Sequence, residues 1–194
     1  MTGANISYYK NTFGNILYKF IMYYVYILVC SDKKHMKIGI SGSDLSRLLT
    51  NHKNYNILIN SSRFIPLTEK RLAYKVEQFL LGKIPKLPRD VTSLDGYTEL
   101  RELKWAKHIK NYIQEIKTDV KFSYIDTKRM VYRLYTAQEL VDKLKSNPKI
   151  DSNKIDKQYE SLKVSSKGYV TDRVYRRVTK KSDYCTHIYY EEVK

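Results

Sequence analysis

The chain has little of several things, and each shortage narrows the reading. Two cysteines in 194 residues, Cys30 and Cys185, make neither a metal-ligand spacing nor a disulfide framework. Both are expected to be reduced thiols in an intracellular, non-secreted protein. No apolar run approaches the roughly 20 residues that a membrane span needs. The longest, Ile21 to Cys30, alternates tyrosine with aliphatics and reads as a strand, and Lys10 and Lys19 interrupt the N-terminal apolar stretch, which has no signal-peptide pattern. With 4 prolines and 7 glycines there is no low-complexity tract. Acidic residues are scarce: 20 against 36 basic ones, a formal net charge of +16.

What is abundant is tyrosine, 19 residues, and lysine and arginine in both halves of the chain. A basic, tyrosine-rich surface suits a polyanion, its phosphates paired by Lys and Arg and its bases packed on aromatic rings. DNA is therefore the expected partner, with no membrane role. A basic coat or packaging protein is the competing class. The heavy use of Lys, Asn, Ile and Tyr is what an AT-rich genome encodes, which suggests a viral or phage source.

Along the chain, residues 1–22 show no clear period and are read as an N-terminal extension. Tyr23 to Val29 alternates aromatic and aliphatic residues, as a central strand does. A polar turn at Ser31-Asp32-Lys33-Lys34 leads to a second strand, Met36 to Ile40, which contains Gly39. A glycine inside a strand marks a bulge or a close approach. Ser43 or Asp44 caps the next helix. Leu45, Leu48 and Leu49 form its apolar stripe, Arg47 lies nearly opposite with Asn51 on its face, and His52 falls in line with the leucines. Tyr55 to Ile59 reads as a third strand. Thr68 caps a helix running to about Lys83, with Glu77 at the edge of its apolar stripe. There Glu77 needs a partner, either a basic side chain or a divalent ion.

Gly96-Tyr97-Thr98-Glu99-Leu100 precedes a helix from about Arg101 to Lys117. Thr136-Ala137-Gln138-Glu139 is a capping box. Residues 149–168 read as a short helix and a loop, and Gly168 to Lys194 as one or two basic strands.

Tyr24-Val25-Tyr26 and Lys37-Ile38-Gly39, on hairpin-connected strands and followed by a helix with Arg47, resemble the two motifs of the GIY-YIG nuclease superfamily, most closely the branch whose second motif reads KIG. The Gly-x-Thr-Glu segment resembles that branch too, although Leu100-Arg101 stands where an aromatic pair is usual. The resemblance implies a metal-dependent endonuclease on DNA, using one Mg²⁺ or Mn²⁺ ion per site. Carried over, Tyr26 is the base, Glu77 the metal ligand and Arg47 the clamp on the phosphate. Lys37 replaces a tyrosine and is expected beside Tyr26, lowering its pKa. Tyr24 shares the face of Tyr26, and His52 is a lesser candidate because the usual Arg-x-x-x-His spacing is one residue longer here. Lys53, Arg63, Arg173, Arg176 and Arg177 are the expected DNA contacts. A DNA-binding protein on the same fold without cleavage is the alternative.

The fold class expected is α/β (α+β): a small, mainly antiparallel three-stranded sheet flanked by helices, with a C-terminal α/β extension. The nuclease-like domain spans 23–119 and a basic extension spans 120–194.

Overall fold

The computed structural model describes residues 23–87 and 97–168, with the backbone of four strand segments besides, 9–10, 16–17, 174–181 and 186–193; side chains are described for 23–87 and 98–163. Two short strands, β1 (Tyr9–Lys10) and β2 (Ile16–Leu17), pair with each other. The central sheet starts with β3 (Tyr23–Val29) and β4 (His35–Ser41), an antiparallel hairpin. Asp32 closes its turn by accepting from the backbone N–H groups of Lys34 and His35. The helix α1 (Ser46–Tyr55) follows, then β5 (Arg63–Leu67) and α2 (Lys70–Lys83). Next come β6 (Leu100–Glu102), a 3₁₀ turn over Leu103–His108 running into α3 (Ile109–Glu115), and α4 (Tyr124–Lys128). The helices α5 (Ala137–Lys145) and α6 (Ser152–Gly168) come next, then the antiparallel hairpin of β7 (Val174–Lys181) and β8 (Thr186–Val193).

The α+β class holds, and the sheet is antiparallel throughout in the order β5-β3-β4-β6. Its strand count is four rather than three, because Leu100–Glu102 adds to the free edge of β4. The third strand also sits later than Tyr55–Ile59. The α1 helix consumes Tyr55, Asn56 ends it in the left-handed region at φ 48°, and only Ile57 makes a bridge, to Cys30. The strand forms instead at Arg63–Leu67, an edge position where Pro66 costs no interior hydrogen bond.

Alternation along β3 sorts its side chains into two cores. Val25 and Ile27, with Met36, Ile38 and Ile65, pack under α2 and α3 against Leu72, Val76, Leu80, Ile109 and Ile113. Tyr24, Tyr26 and Leu28, with Phe64, pack against Leu45 and Leu48 of α1, and also against Leu140, Val141 and Leu144 of α5 and Ile155, Tyr159 and Leu162 of α6. Each fully buried aliphatic among them contributes roughly 1.5–3 kcal/mol. Residues 137–162, which belong to the C-terminal extension in the sequence reading, thus supply much of the cover of one face. The Thr136 capping box forms as expected: Thr136 Oγ1 accepts from Glu139 N–H, and the Glu139 carboxylate accepts from Thr136 N–H. Residues 152–168 make one continuous helix rather than a short helix and a loop. The α2 helix starts at Lys70 with Glu69 as its N-cap, so the Thr68 hydroxyl is not the cap and is left buried without a hydrogen bond.

No helix of the described residues is long and apolar enough to cross a membrane.

Candidate active site

The corner that opens α1 is held from a distance. Asp44 accepts from Ser46 N–H and Oγ, and its other oxygen pairs with Lys154 of α6 at 3.0 Å. Gln158 of α6 accepts from Leu45 N–H at 3.0 Å. With Leu45 and Leu48 buried, the helix leaves Arg47 exposed to solvent and within reach of the inner strand β3.

Opposite it, Tyr26 pairs with Gly39 across the β3–β4 ladder, and the phenol lies flat on that glycine. A Cβ at position 39 would stand 2.3 Å from the Tyr26 hydroxyl oxygen and 2.5 Å from Cζ. The register runs unbroken from Tyr24↔Ser41 to Val29↔Met36, so Gly39 marks a close approach and not a bulge. Arg47 Nε donates to the Tyr26 hydroxyl at 3.4 Å. The tyrosine has no exposed surface, and burial pushes its phenol up; the Arg47 and Asn51 side chains oppose that rise and the Glu99 charge adds to it.

Lys37 is not the cation beside Tyr26. It stands opposite Leu28, its ammonium pairs with Glu99 at 2.8 Å, and it lies 4.9 Å from the centre of the Tyr55 ring. The expected lowering of the Tyr26 pKa by Lys37 is therefore corrected: the net shift is upward, and Arg47 is the cation at the hydroxyl. A cleft of about 570 Å³ is lined by Lys37, Arg47, Thr50, Asn51, Tyr55 and Glu99 among others; Tyr26 and Glu77 do not line it.

Tyr24 separates from Tyr26 despite sharing its face. It is wholly buried, donates to the Asp44 carbonyl at 2.7 Å and meets Phe64 edge-on, so it fastens the α1 corner. Burial raises its phenol further from ionisation. His52 is a core residue, 7% exposed, its Nδ1 without a hydrogen-bond partner and its basicity lowered by burial, with the Ile57 backbone opposing. It does not line the cleft.

Glu77 is 6% exposed on α2, and none of the ion pairs among the described residues includes it. Its carboxylate accepts from the neighbouring Gln78 amide at 3.3 Å. Burial raises its pKa, with Glu99 adding to the rise and Arg47 and Lys37 opposing it. A buried carboxylate without a cation fits a divalent ion held by one protein ligand, water and substrate oxygens. An all-protein cage is absent: no group of three His, Cys, Asp or Glu gathers among the described residues.

Of the expected DNA contacts, Lys53 is exposed on α1, while Arg63 folds back to donate to the Asn60 and Ser62 carbonyls. Arg176 and Arg177 lie on β7, where the backbone alone is described, and Arg173 lies outside the described residues.

Sequence reasoning missed two participants. Glu99 was visible inside Gly-x-Thr-Glu, but only the pairing of β6 with β4 shows that it engages Lys37. Arg101, 1% exposed, donates to the carbonyls of Leu81, Ile84, Thr98 and Leu100, riveting the segment that carries Glu99 to the end of α2. Compared with known protein families, with curated proteins and with solved structures, the chain matches none.

Proposed function

We propose that the protein is a metal-dependent endonuclease that hydrolyses phosphodiester bonds in DNA inside a cell. The observation that carries this reading is the Tyr26 hydroxyl laid over Gly39 and touched by Arg47, which itself lines a cleft. A guanidinium suits a phosphate because its planar donors match the anion's oxygens. Arg47 lines the cleft and touches the phenol in the free protein, so a phosphate bound in the cleft would compete with the hydroxyl for the guanidinium. Tyr26 then accepts the proton of the attacking water, while Arg47 steadies the charge on the phosphate. Glu77 would hold the divalent ion, which supplies further neutralisation of phosphate charge when bound. The net charge of +16 supports a polyanionic substrate.

Because burial raises the phenol, the rate is expected to climb with pH through the neutral range instead of levelling there.

A second reading, a DNA-binding protein without cleavage, has one observation in its favour: Lys37 of the second motif is taken up by Glu99. Supercoiled-plasmid nicking with Mg²⁺, with EDTA and with Glu77→Gln separates the two. The nuclease reading expects nicking that EDTA abolishes and that Glu77→Gln lowers at least 100-fold, with duplex binding kept within about twofold. Binding that falls steeply with salt, without nicking in any metal, would establish the second reading in its place.

A further inference from the structure

Asn51 is polar, lines the cleft, and is only 6% exposed. Its Nδ2 is shut away from solvent and makes no hydrogen bond of good geometry, although the side chain lies close enough to the Tyr26 hydroxyl to favour its ionised form. A buried amide N–H without an acceptor is costly, so its retention needs a physical reason. The neighbourhood supplies one. Asn51 stands one helical turn beyond Arg47 on the same face of α1, and Arg47 touches the Tyr26 hydroxyl. That hydroxyl cannot retreat, because the ring is seated on the bare Gly39 backbone. A neutral phenol held by Arg47 gives the amide only a weak acceptor, whereas a phenolate offers a full negative charge with open lone pairs.

We infer that Asn51 is a positioning residue that holds the ionised form of Tyr26: its Nδ2–H is orphaned while the phenol is neutral and closes onto the phenolate oxygen when the proton leaves. The inference rests on the role given to Tyr26 above. It assigns to an uncharged donor the work that the sequence suggested for Lys37. Among the described residues, the groups facing the phenol are few. Arg47 and Asn51 come from α1, Glu99 from the turn before β6, and Tyr24 lies two residues away on β3. The cross-strand neighbours, Gly39 on β4 and Phe64 on β5, carry no charge. Arg47 is exposed and is claimed by a phosphate during the reaction, which leaves Asn51 as the donor that stays.

The titration is made on the full chain without metal or DNA. 3-Fluorotyrosine, whose phenol ionises at lower pH than tyrosine, is placed at position 26 and titrated by ¹⁹F NMR. Asn51→Leu removes the donor at similar volume, and Asn51→Asp keeps the shape while adding a negative charge. The midpoint is expected to rise by about one unit in Asn51→Leu and further in Asn51→Asp. Plasmid nicking at pH 7 should fall about tenfold in Asn51→Leu and recover as pH rises. If Asn51→Leu does not fold, Asn51→Ala, which removes the donor without adding charge, is titrated in its place. An unchanged midpoint in the folded variants, whatever their nicking, overturns the inference and leaves the nuclease reading standing. A raised midpoint in a protein that nicks no DNA upholds the link between Asn51 and Tyr26 and sinks the nuclease reading alone.

Discussion

Gly39→Ala is the sharpest probe of how the Tyr26 site is built, since it adds one methyl group where a rigid ring already lies. The new Cβ would meet the Tyr26 hydroxyl at 2.3 Å, Cζ at 2.5 Å and Cε2 at 2.8 Å. Such overpacking costs about 1–3 kcal/mol. Against it, replacing glycine at a compatible backbone conformation recovers about 0.4–1 kcal/mol from the unfolded chain. The clash wins, leaving a net loss of roughly 1–2 kcal/mol and a fall in Tm of about 2–8 °C. Activity should suffer more, because moving a catalytic group by about 1 Å costs on the order of 100-fold. Thermal melts and nicking rates are measured for Gly39→Ala, for Tyr26→Leu and for the double variant. In the Tyr26→Leu background the Gly39→Ala penalty should vanish, giving a coupling of about 1–2 kcal/mol. A Gly39→Ala protein that melts and nicks like the parent would refute the packing of Tyr26 against Gly39.

Two further expectations follow from the buried polar groups. Burial lowers the His52 pKa, so the neutral ring favours the folded state; its contribution is complete above the unfolded value of about 6.5 and is lost as pH falls through the lower folded value. His52→Leu should therefore flatten the acid side of the Tm–pH curve and leave nicking within about threefold, and a loss of nicking beyond 100-fold would return His52 to the site. Arg101→Met strands four carbonyls and should cost about 3 kcal/mol, roughly 6–12 °C in Tm, with Arg101→Lys failing to rescue because one ammonium cannot serve all four; a melt unchanged by Arg101→Met would remove the rivet.

What the sequence made legible is what local chemistry decides. Alternation along Tyr23–Val29 announced a buried strand, Thr136 and Glu139 announced a helix start, and the leucines of α1 announced which way Arg47 turns. What stayed hidden was tertiary. The Glu99–Lys37 pair depends on a three-residue strand too short to carry a pattern, and the third strand lay beyond a helix that ran on to Tyr55.

The division of labour between Asn51 and His52 joins the two levels. At about 100° per residue, a side chain four positions past Arg47 returns to within about 40° of it, whereas one five positions past is turned away by about 140°. The same leucine stripe that aims Arg47 at the phenol must therefore aim His52 into the core and Asn51 along the cleft, as found. With Leu45 and Leu48 fixing the phase of α1, the helix offers position 51, and not 52, to whatever chemistry Tyr26 performs.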